Sequence, residues 1–338
     1  MSSLKEKVFA VAPMMDWTDR HCRAFHRCLT TTSILYTEMV TANAVIHGDQ
    51  ERLIGFDAVE HPVALQLGGA DPHALAEAAR IGEAFGYDEI NLNVGCPSDR
   101  VKSGSFGACL MREPQLVADC MAAMGAAVRI PVTVKCRLGV DDQDPDLALF
   151  ELVDRCADAG VGTFIVHARK AWLQGLSPKE NRDIPPLDYA IVRRLKAERS
   201  DHVIILNGGL TTLEQARDEL GHLDGVMFGR AAYHNPGLLG AVDRMLGGDQ
   251  VDKVEALAAV EAYRPYLAHR LTLGTPLAAM TRHMLGLFAG QPGARTWRRI
   301  LTTEAAQRGA GLEVLDRALA ALSDAPTTAT GINYLSFC

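Results

Sequence analysis

Short apolar runs alternate along the chain with polar loops and helix-like stretches: Val8–Ala12, Ile34–Tyr36, Pro62–Leu67, Glu89–Val94, Val132–Cys136, Thr163–His167, Val203–Asn207 and Gly225–Phe228. Runs this short, bounded by Gly, Pro and polar clusters, read as strands, and the longer stretches between them carry a helical period. Eight strands alternating with helices within about 230 residues predict an α/β fold, a (β/α)8 TIM barrel, with a doubly wound open sheet as the competing arrangement. After Gly247 the pattern changes to longer helical stretches at Val254–Arg270, Pro276–Leu287, Ala294–Ala310 and Val314–Leu322. They predict an all-α helical bundle joined through Gly247-Gly248, with Gly290-Gln291-Pro292-Gly293 as an internal turn. The expected organisation is a barrel over 1–247, a bundle over 248–325 and a frayed tail over 326–338.

Polar residues of chemical type fall just where those runs end. Pro13-Met14-Met15 follows the first run, Gln66 ends the third, Asn93 and Cys96 close the fourth, Lys135 lies near the end of the fifth and His167 closes the sixth. Asn207-Gly208-Gly209 and Gly229-Arg230 follow the seventh and eighth. Each has a bland alternative: Lys135 as a strand-end residue reaching solvent, His167 as a satisfied core histidine, Met14-Met15 as packing. Together they favour the barrel, because active sites of barrels lie at the C-terminal ends of the strands. Barrels commonly hold phosphate after strands seven and eight, where glycine lets the backbone approach the anion and Arg230 adds a charged fork. A phosphate-bearing ligand is therefore expected, and since no GxGxxG follows the first strand, a Rossmann-bound dinucleotide is not. The loop from Ala168 to Pro186 carries Arg169, Lys170, Lys179, Arg182 and Trp172, which suits either a solvated lid or a basic arm for a phosphodiester backbone.

Composition changes this picture little and charge somewhat more. The 338 residues are 48% hydrophobic and 22% charged, ordinary for a soluble globular protein, and no apolar run reaches the length of a membrane span. Eight cysteines without a CxxC pair or a metal-like spacing imply free thiols, no metal, and a reducing compartment, so a cytoplasmic protein is expected, as a monomer. The net charge of −7 is unevenly spread: residues 253–325 hold nine Lys or Arg against six Asp or Glu, whereas residues 1–252 hold 25 against 35. Any contact with RNA is thus expected chiefly in the C-terminal segment, where Arg295, Arg298 and Arg299 share one helical face beside Trp297.

The loop after the fourth run carries the most specific string. Asn93-x-Gly95-Cys96-Pro97, followed by Lys102, Gly104, Gly107-Ala108 and Leu110-Met111, resembles the signature of the tRNA-dihydrouridine synthases, flavin enzymes that reduce uridine in tRNA. GLSPKENRDIPPLDY (Gly175–Tyr189) and MLGLFAGQPGARTWRR (Met284–Arg299) resemble the branch acting at D-loop positions 20 and 20a, and the similarity runs from about Val11 to Leu322.

The resemblance implies tRNA as substrate, FMN as cofactor and NADPH as reductant. It implies hydride transfer from flavin N5 to uracil C6 and a proton from Cys96 to C5, a sensible role for a thiol because an ordinary cysteine, with a pKa of about 8.5, stays protonated at neutral pH. It further implies that Lys135 lies at the flavin's pyrimidine edge, that His167 and Gln66 touch the flavin and that Asn93 holds the uracil. Lys179, Arg182, Arg295 and Arg298 match the branch's tRNA-contacting pattern, and Cys109 is read as packing. Two other readings of the chain are a flavin barrel reductase of a small unsaturated carbonyl compound, without the basic bundle, and a non-catalytic RNA-binding module.

Overall fold

The computed structural model of the protein describes residues 4–97, 106–248 and 252–323; Lys102 and Gly104 of the signature and the tail 326–338 lie outside the described residues. Nine parallel strands form one sheet: β1 (Val8–Val11), β2 (Ile34–Tyr36), β3 (Val40–Thr41), β4 (Val63–Gly68), β5 (Glu89–Val94), β6 (Val132–Arg137), β7 (Thr163–His167), β8 (Val203–Asn207) and β9 (Gly225–Phe228). β1 pairs with both β2 and β9, and β2 pairs with β4, so eight strands close into a barrel and the open sheet is excluded. All eight expected runs are strands, with ends shifted by a residue at most. The addition is β3, which pairs with the end of β4 (Val40 opposite Leu67) as β2 pairs with its start (Leu35 opposite Val63), so the second barrel strand is interrupted at Thr37–Met39.

Alternation along the strands divides the core in two. Ala10, Ala12, Tyr36, Ala64, Ile165, Ile205 and Met227 point inward and fill the barrel as one apolar cluster. Their neighbours in sequence point outward and join the helices in a second, larger cluster. The helices that cover the barrel start where the local chemistry dictates. Asp71 caps Pro72–Phe85 by accepting from the backbone N–H of His73 and Ala74, and Asp144 caps Pro145–Asp158 in the same way. Each of these helices also carries proline in its first turn, where the missing N–H costs nothing.

The C-terminal helices are Ala256–Thr272, Leu277–Thr281, Ala294–Thr303 and Leu312–Ser323. Two end earlier than the periodicity predicts. The second passes at Thr281 into a 3-10 turn, Arg282–Met284, and Gly286 lies so tightly against the His234 carbonyl that a Cβ there would collide with it. The third stops at Thr303, where the hydroxyls of Thr302 and Thr303 turn back onto the carbonyls of Arg298 and Arg299, both at 2.7 Å. Trp297 is fully buried, donating its indole N–H to the Met284 carbonyl (3.2 Å) and meeting Phe288 edge to face, so the ring counted beside the arginines belongs to the helical core.

These helices dock on the segment that follows β1. Asp19 caps the helix Arg20–Arg27, and its carboxylate also receives Arg282 (2.6 Å) and His283 (3.0 Å). The Tyr266 hydroxyl lies 2.7 Å from His21 Nδ1, and the Tyr263 hydroxyl donates to the His21 carbonyl (2.9 Å). Since this segment leaves the C-terminal end of β1, the helical unit sits beside the barrel mouth.

Candidate active site

Register brings the expected site residues to one end of the barrel. Asn93 stands opposite Lys135, Arg137 opposite His167, and His167 opposite Asn207, so β5 to β8 present their last inward side chains as one rim. The Lys135 ammonium donates to Asn207 Oδ1 (3.0 Å), and Asn207 Nδ2 donates to the Met227 carbonyl (2.8 Å), which ties β6, β8 and β9 together. Burial, and then the charge of Arg137, lowers the Lys135 pKa to about 8.

The turn after β8 can be built only with glycine. Gly208 and Gly209 both have left-handed φ, 105° and 74°, and a Cβ on Gly208 would stand 2.6 Å from His167 Cδ2. A Cβ on Gly209 would collide with Leu187. The Tyr189 hydroxyl donates to the Gly208 carbonyl and holds the turn from the lid side. Burial, followed by Arg137 and Lys135, pushes the His167 pKa well below the ordinary range, so the imidazole is neutral.

Cys96 follows β5 and is held by its backbone. Asn93 Oδ1 accepts from the N–H groups of Gly95 (3.1 Å) and Cys96 (2.9 Å), and the Cys96 carbonyl accepts from Ala108 N–H (3.0 Å), where the chain returns. Arg137, which the sequence reading passed over, donates to the carbonyls of Gly95 (2.9 Å), Lys170 (2.9 Å) and Asn181 (3.0 Å), joining the Cys96 loop to the lid loop. Asn181 is fully buried: its Oδ1 accepts from Trp172 N–H (2.8 Å) and its Nδ2 donates to the Trp172 carbonyl (2.9 Å). A period-two reading of TVKCR would have found Arg137 on the face of Thr133 and Lys135, but Asn181 leaves no signal in a loop without periodicity.

The remaining expected residues occupy different settings. Met14 packs near Gly229, 3.8 Å from where a Cβ would stand, while Met15 is 54% exposed and Pro13 is half-buried at the same rim. Gln66 is buried, receiving Asn93 Nδ2 (2.8 Å) and donating to Asn91 Oδ1 (2.8 Å). Arg230 forms a two-pronged ion pair with Asp183 of the lid, at 2.6 and 3.1 Å. Lys179 and Arg182 are exposed on one 3-10 turn, Arg182 N–H donating to the Lys179 carbonyl (3.0 Å). Arg295 and Arg298 are exposed on Ala294–Thr303. Partial burial and then the charge of Arg230 lower the Arg182 pKa. Cationic Lys135, Arg137, Arg169, Arg182 and Arg230 thus surround a neutral histidine and a glycine turn, a setting for an anionic ligand. Among the described residues, no group of three or more His, Cys, Asp or Glu could hold a metal ion.

The fold is thus a parallel barrel with a thiol-bearing loop, a lysine and a glycine turn on one rim. Residues 10–324 match the dihydrouridine synthase (Dus) family, and the chain belongs to it. It is 59% identical over 310 residues to a tRNA-dihydrouridine(20/20a) synthase of Xanthomonas campestris pv. campestris, covering 91% of this chain and 92% of the relative. It is 56% identical over 317 residues to the protein of the same name in Escherichia coli K12, covering 94% and 92%. In fold it is similar to an old yellow enzyme homologue from Zymomonas mobilis, with a TM-score of 0.52, 13% identity, and 76% of this chain and 96% of that one covered.

Proposed function

We propose that this chain reduces uridine to 5,6-dihydrouridine in the tRNA D-loop, at positions 20 and 20a, with FMN as bound cofactor and NADPH as reductant. The observation that carries the reading is the meeting of the Cys96 loop with the linked Lys135, Asn207 and Gly208 groups on one rim. The glycine turn and its cationic surroundings fit a phosphate-bearing cofactor, which can approach the backbone where no Cβ intervenes. FMN held there would supply the hydride that adds at uracil C6, with NADPH as its reductant. Pro13, Met14 and Met15 would offer it apolar surface, Gln66 and His167 hydrogen bonds, and the Arg230 fork, paired with Asp183 here, a charged partner for its phosphate.

The chain's own residues then complete the reaction. Lys135, with its pKa near 8, is cationic at neutral pH and stabilises negative charge at the cofactor's pyrimidine edge. Asn93 engages the uracil while its oxygen holds the Cys96 backbone. The Cys96 thiol gives its proton to C5: the S–H bond breaks, the C5–H bond forms, and the thiolate recovers a proton from water. A stacked base cannot enter a barrel mouth, so the target nucleotide is extruded, at a cost of a few kcal/mol that backbone contacts offset. Lys179, Arg182, Arg295 and Arg298 supply these contacts from the lid and the helical unit. We accordingly divide the chain into a catalytic barrel, 1–247, and a tRNA-binding helical unit, 248–325. Seven free cysteines among the described residues suit a reducing cytoplasm, where we place the enzyme as a monomer.

The deciding experiment incubates the flavin-loaded protein with NADPH and unmodified tRNA and maps mass changes by nuclease digestion and mass spectrometry. A gain of two hydrogens at D-loop uridines is expected. Unchanged tRNA beside turnover of a small enone would favour the small-molecule reductase.

A further inference from the structure

A line of buried polar side chains runs through the barrel from its floor to its mouth, and every hydrogen bond in it points the same way. At the mouth, the backbone N–H groups of Gly95 (3.1 Å) and Cys96 (2.9 Å) donate to Asn93 Oδ1. Asn93 Nδ2 donates to Gln66 Oε1, Gln66 Nε2 to Asn91 Oδ1, and Asn91 Nδ2 to the Thr133 hydroxyl, each at 2.8 Å. The Thr133 hydroxyl donates to Glu89 Oε1 (2.6 Å), and the Tyr36 hydroxyl donates to the same oxygen. Glu89, Asn91 and Asn93 alternate along β5, with Gln66 on β4 and Thr133 on β6 at either side.

The sense of this line is set at its two ends. Backbone N–H groups can only donate, so Asn93 has to present its oxygen to them and its amino group to Gln66. At the floor, Glu89 Oε1 receives two hydroxyls, which turns the Thr133 lone pair toward Asn91. Reversing any one amide would set donor against donor at one neighbour and acceptor against acceptor at the other, in an interior that leaves such groups no water. The members are buried, Glu89 and Asn93 at 8% exposure and the others at 2% or less. An apolar interior would serve packing as well, as the opposite half of the same barrel demonstrates with Ala10, Ile165, Ile205 and Met227. The polar half therefore calls for a reason besides stability.

We propose that Glu89 and Thr133 are positioning residues for Cys96, acting from the barrel floor through Asn91, Gln66 and Asn93 to hold the loop that carries the thiol. The inference rests on the reading of Cys96 as the proton donor to C5. It adds two residues that touch neither cofactor nor substrate and lie four and two positions away along paired strands from the nearest site residues, Asn93 and Lys135.

The test uses the flavin-loaded enzyme and Thr133→Val, which keeps the side-chain shape and deletes the hydroxyl. Three quantities are measured: dihydrouridine formation against tRNA concentration, flavin reduction by NADPH, and the iodoacetamide labelling rate of the Cys96 peptide. The expected result is a kcat lower by about ten-fold, the effect of losing one orienting hydrogen bond, with a clearly smaller loss in flavin reduction, which shares only Gln66 with the line. Cys96 labelling should shift several-fold, and Thr133→Ser, which keeps the hydroxyl, should restore all three values. Asn91→Leu cuts the line one residue further on and must reproduce the Thr133→Val behaviour, which keeps the idea testable if Thr133→Val does not fold. Wild-type kcat and labelling in a folded Thr133→Val or Asn91→Leu enzyme would overturn it, as would a Thr133→Ser enzyme as impaired as Thr133→Val. Failure of the underlying reading has a different signature: Cys96→Ala would stay active in uridine reduction, while the labelling comparison in the other variants would still report on the loop.

Discussion

Gly208 lies between two demands that no other residue meets together, a left-handed φ of 105° and the approach of His167 to within 2.6 Å of the missing Cβ. Gly208→Ala should cost about 1–3 kcal/mol of stability, the range for a strained backbone position, and reduce bound flavin. Thermal unfolding and the flavin-to-protein absorbance ratio check both. The two cysteines near the mouth should behave differently. Cys96→Ala is expected to keep FMN and its reduction by NADPH but to lose most uridine reduction, because the thiol acts on substrate alone. Cys109, on the 3-10 turn Gly107–Arg112, should tolerate alanine with activity retained. Single-turnover assays with pre-reduced enzyme separate the two, and exchanged phenotypes would show the acid to be Cys109.

At the scale of elements, the lid loop is held by its own buried asparagine rather than by regular structure. Asn181 closes hydrogen bonds on both backbone groups of Trp172, and the Asn181 carbonyl receives Arg137 from the end of β6. Asn181→Ala leaves those groups unpaired at about 1–3 kcal/mol each, which should loosen the loop while the barrel stays folded. Faster amide exchange across 169–186 together with weaker tRNA binding is the expected outcome; exchange unchanged there would mean that the loop is held elsewhere. In the helix Ala294–Thr303 the division is by face: Trp297, Ile300 and Leu301 pack inward, and the arginines remain outside.

For the whole molecule, pH and salt probe different parts. Burial, then the charges of His283 and Arg27, lowers the His26 pKa to about 3, and burial lowers His21 to about 4. The folded state thus stays neutral at these sites while the unfolded chain takes up protons below about 6.5, so stability is complete above that pH and falls on acidification. His26 alone contributes a slope of about 1.4 kcal/mol per pH unit between roughly 6.5 and its lowered value. Burial by itself would raise the Asp19 carboxyl, but its hydrogen bond with His283, that histidine's charge, the Cys22 N–H and Arg282 hold it well below the ordinary range. Its contribution is present above pH 3.8 and disappears as pH falls through the lowered value, in the same direction. Urea unfolding at pH 7 and pH 5 should show the loss, and His26→Asn should flatten it by one group's share. Salt tests the proposed tRNA surface. Replacing Lys179, Arg295 and Arg298 with Ala should leave flavin reduction unchanged, weaken tRNA binding and reduce its salt slope by roughly one unit per lost phosphate contact. An unaltered salt slope would mean that this face does not meet RNA. Arg182→Ala should also disturb the cofactor site, because Arg182 shares the field of Asp183 with Arg230.

What the sequence by itself determined was whatever depends on local order. Short apolar runs bounded by Gly, Pro and polar clusters placed eight strands to within a residue, whereas which side chain of a continuous run such as Phe164-Ile165-Val166 faces inward was decided by closure of the barrel. The Asn93-to-Met111 signature and the glycines at 208 and 209 were legible because they are local strings, and the structure adds that both glycines have left-handed φ. Tertiary structure decided which polar groups meet. That Asn93 spends its oxygen on the Cys96 loop, that Arg230 pairs with Asp183 and that Arg137 joins two loops all follow from strand register and loop path, which bring together residues many positions apart. Trp297 shows the limit from the other side: in the sequence it stands beside three arginines of a basic face, and only the packing of helix against helix decides that it faces inward.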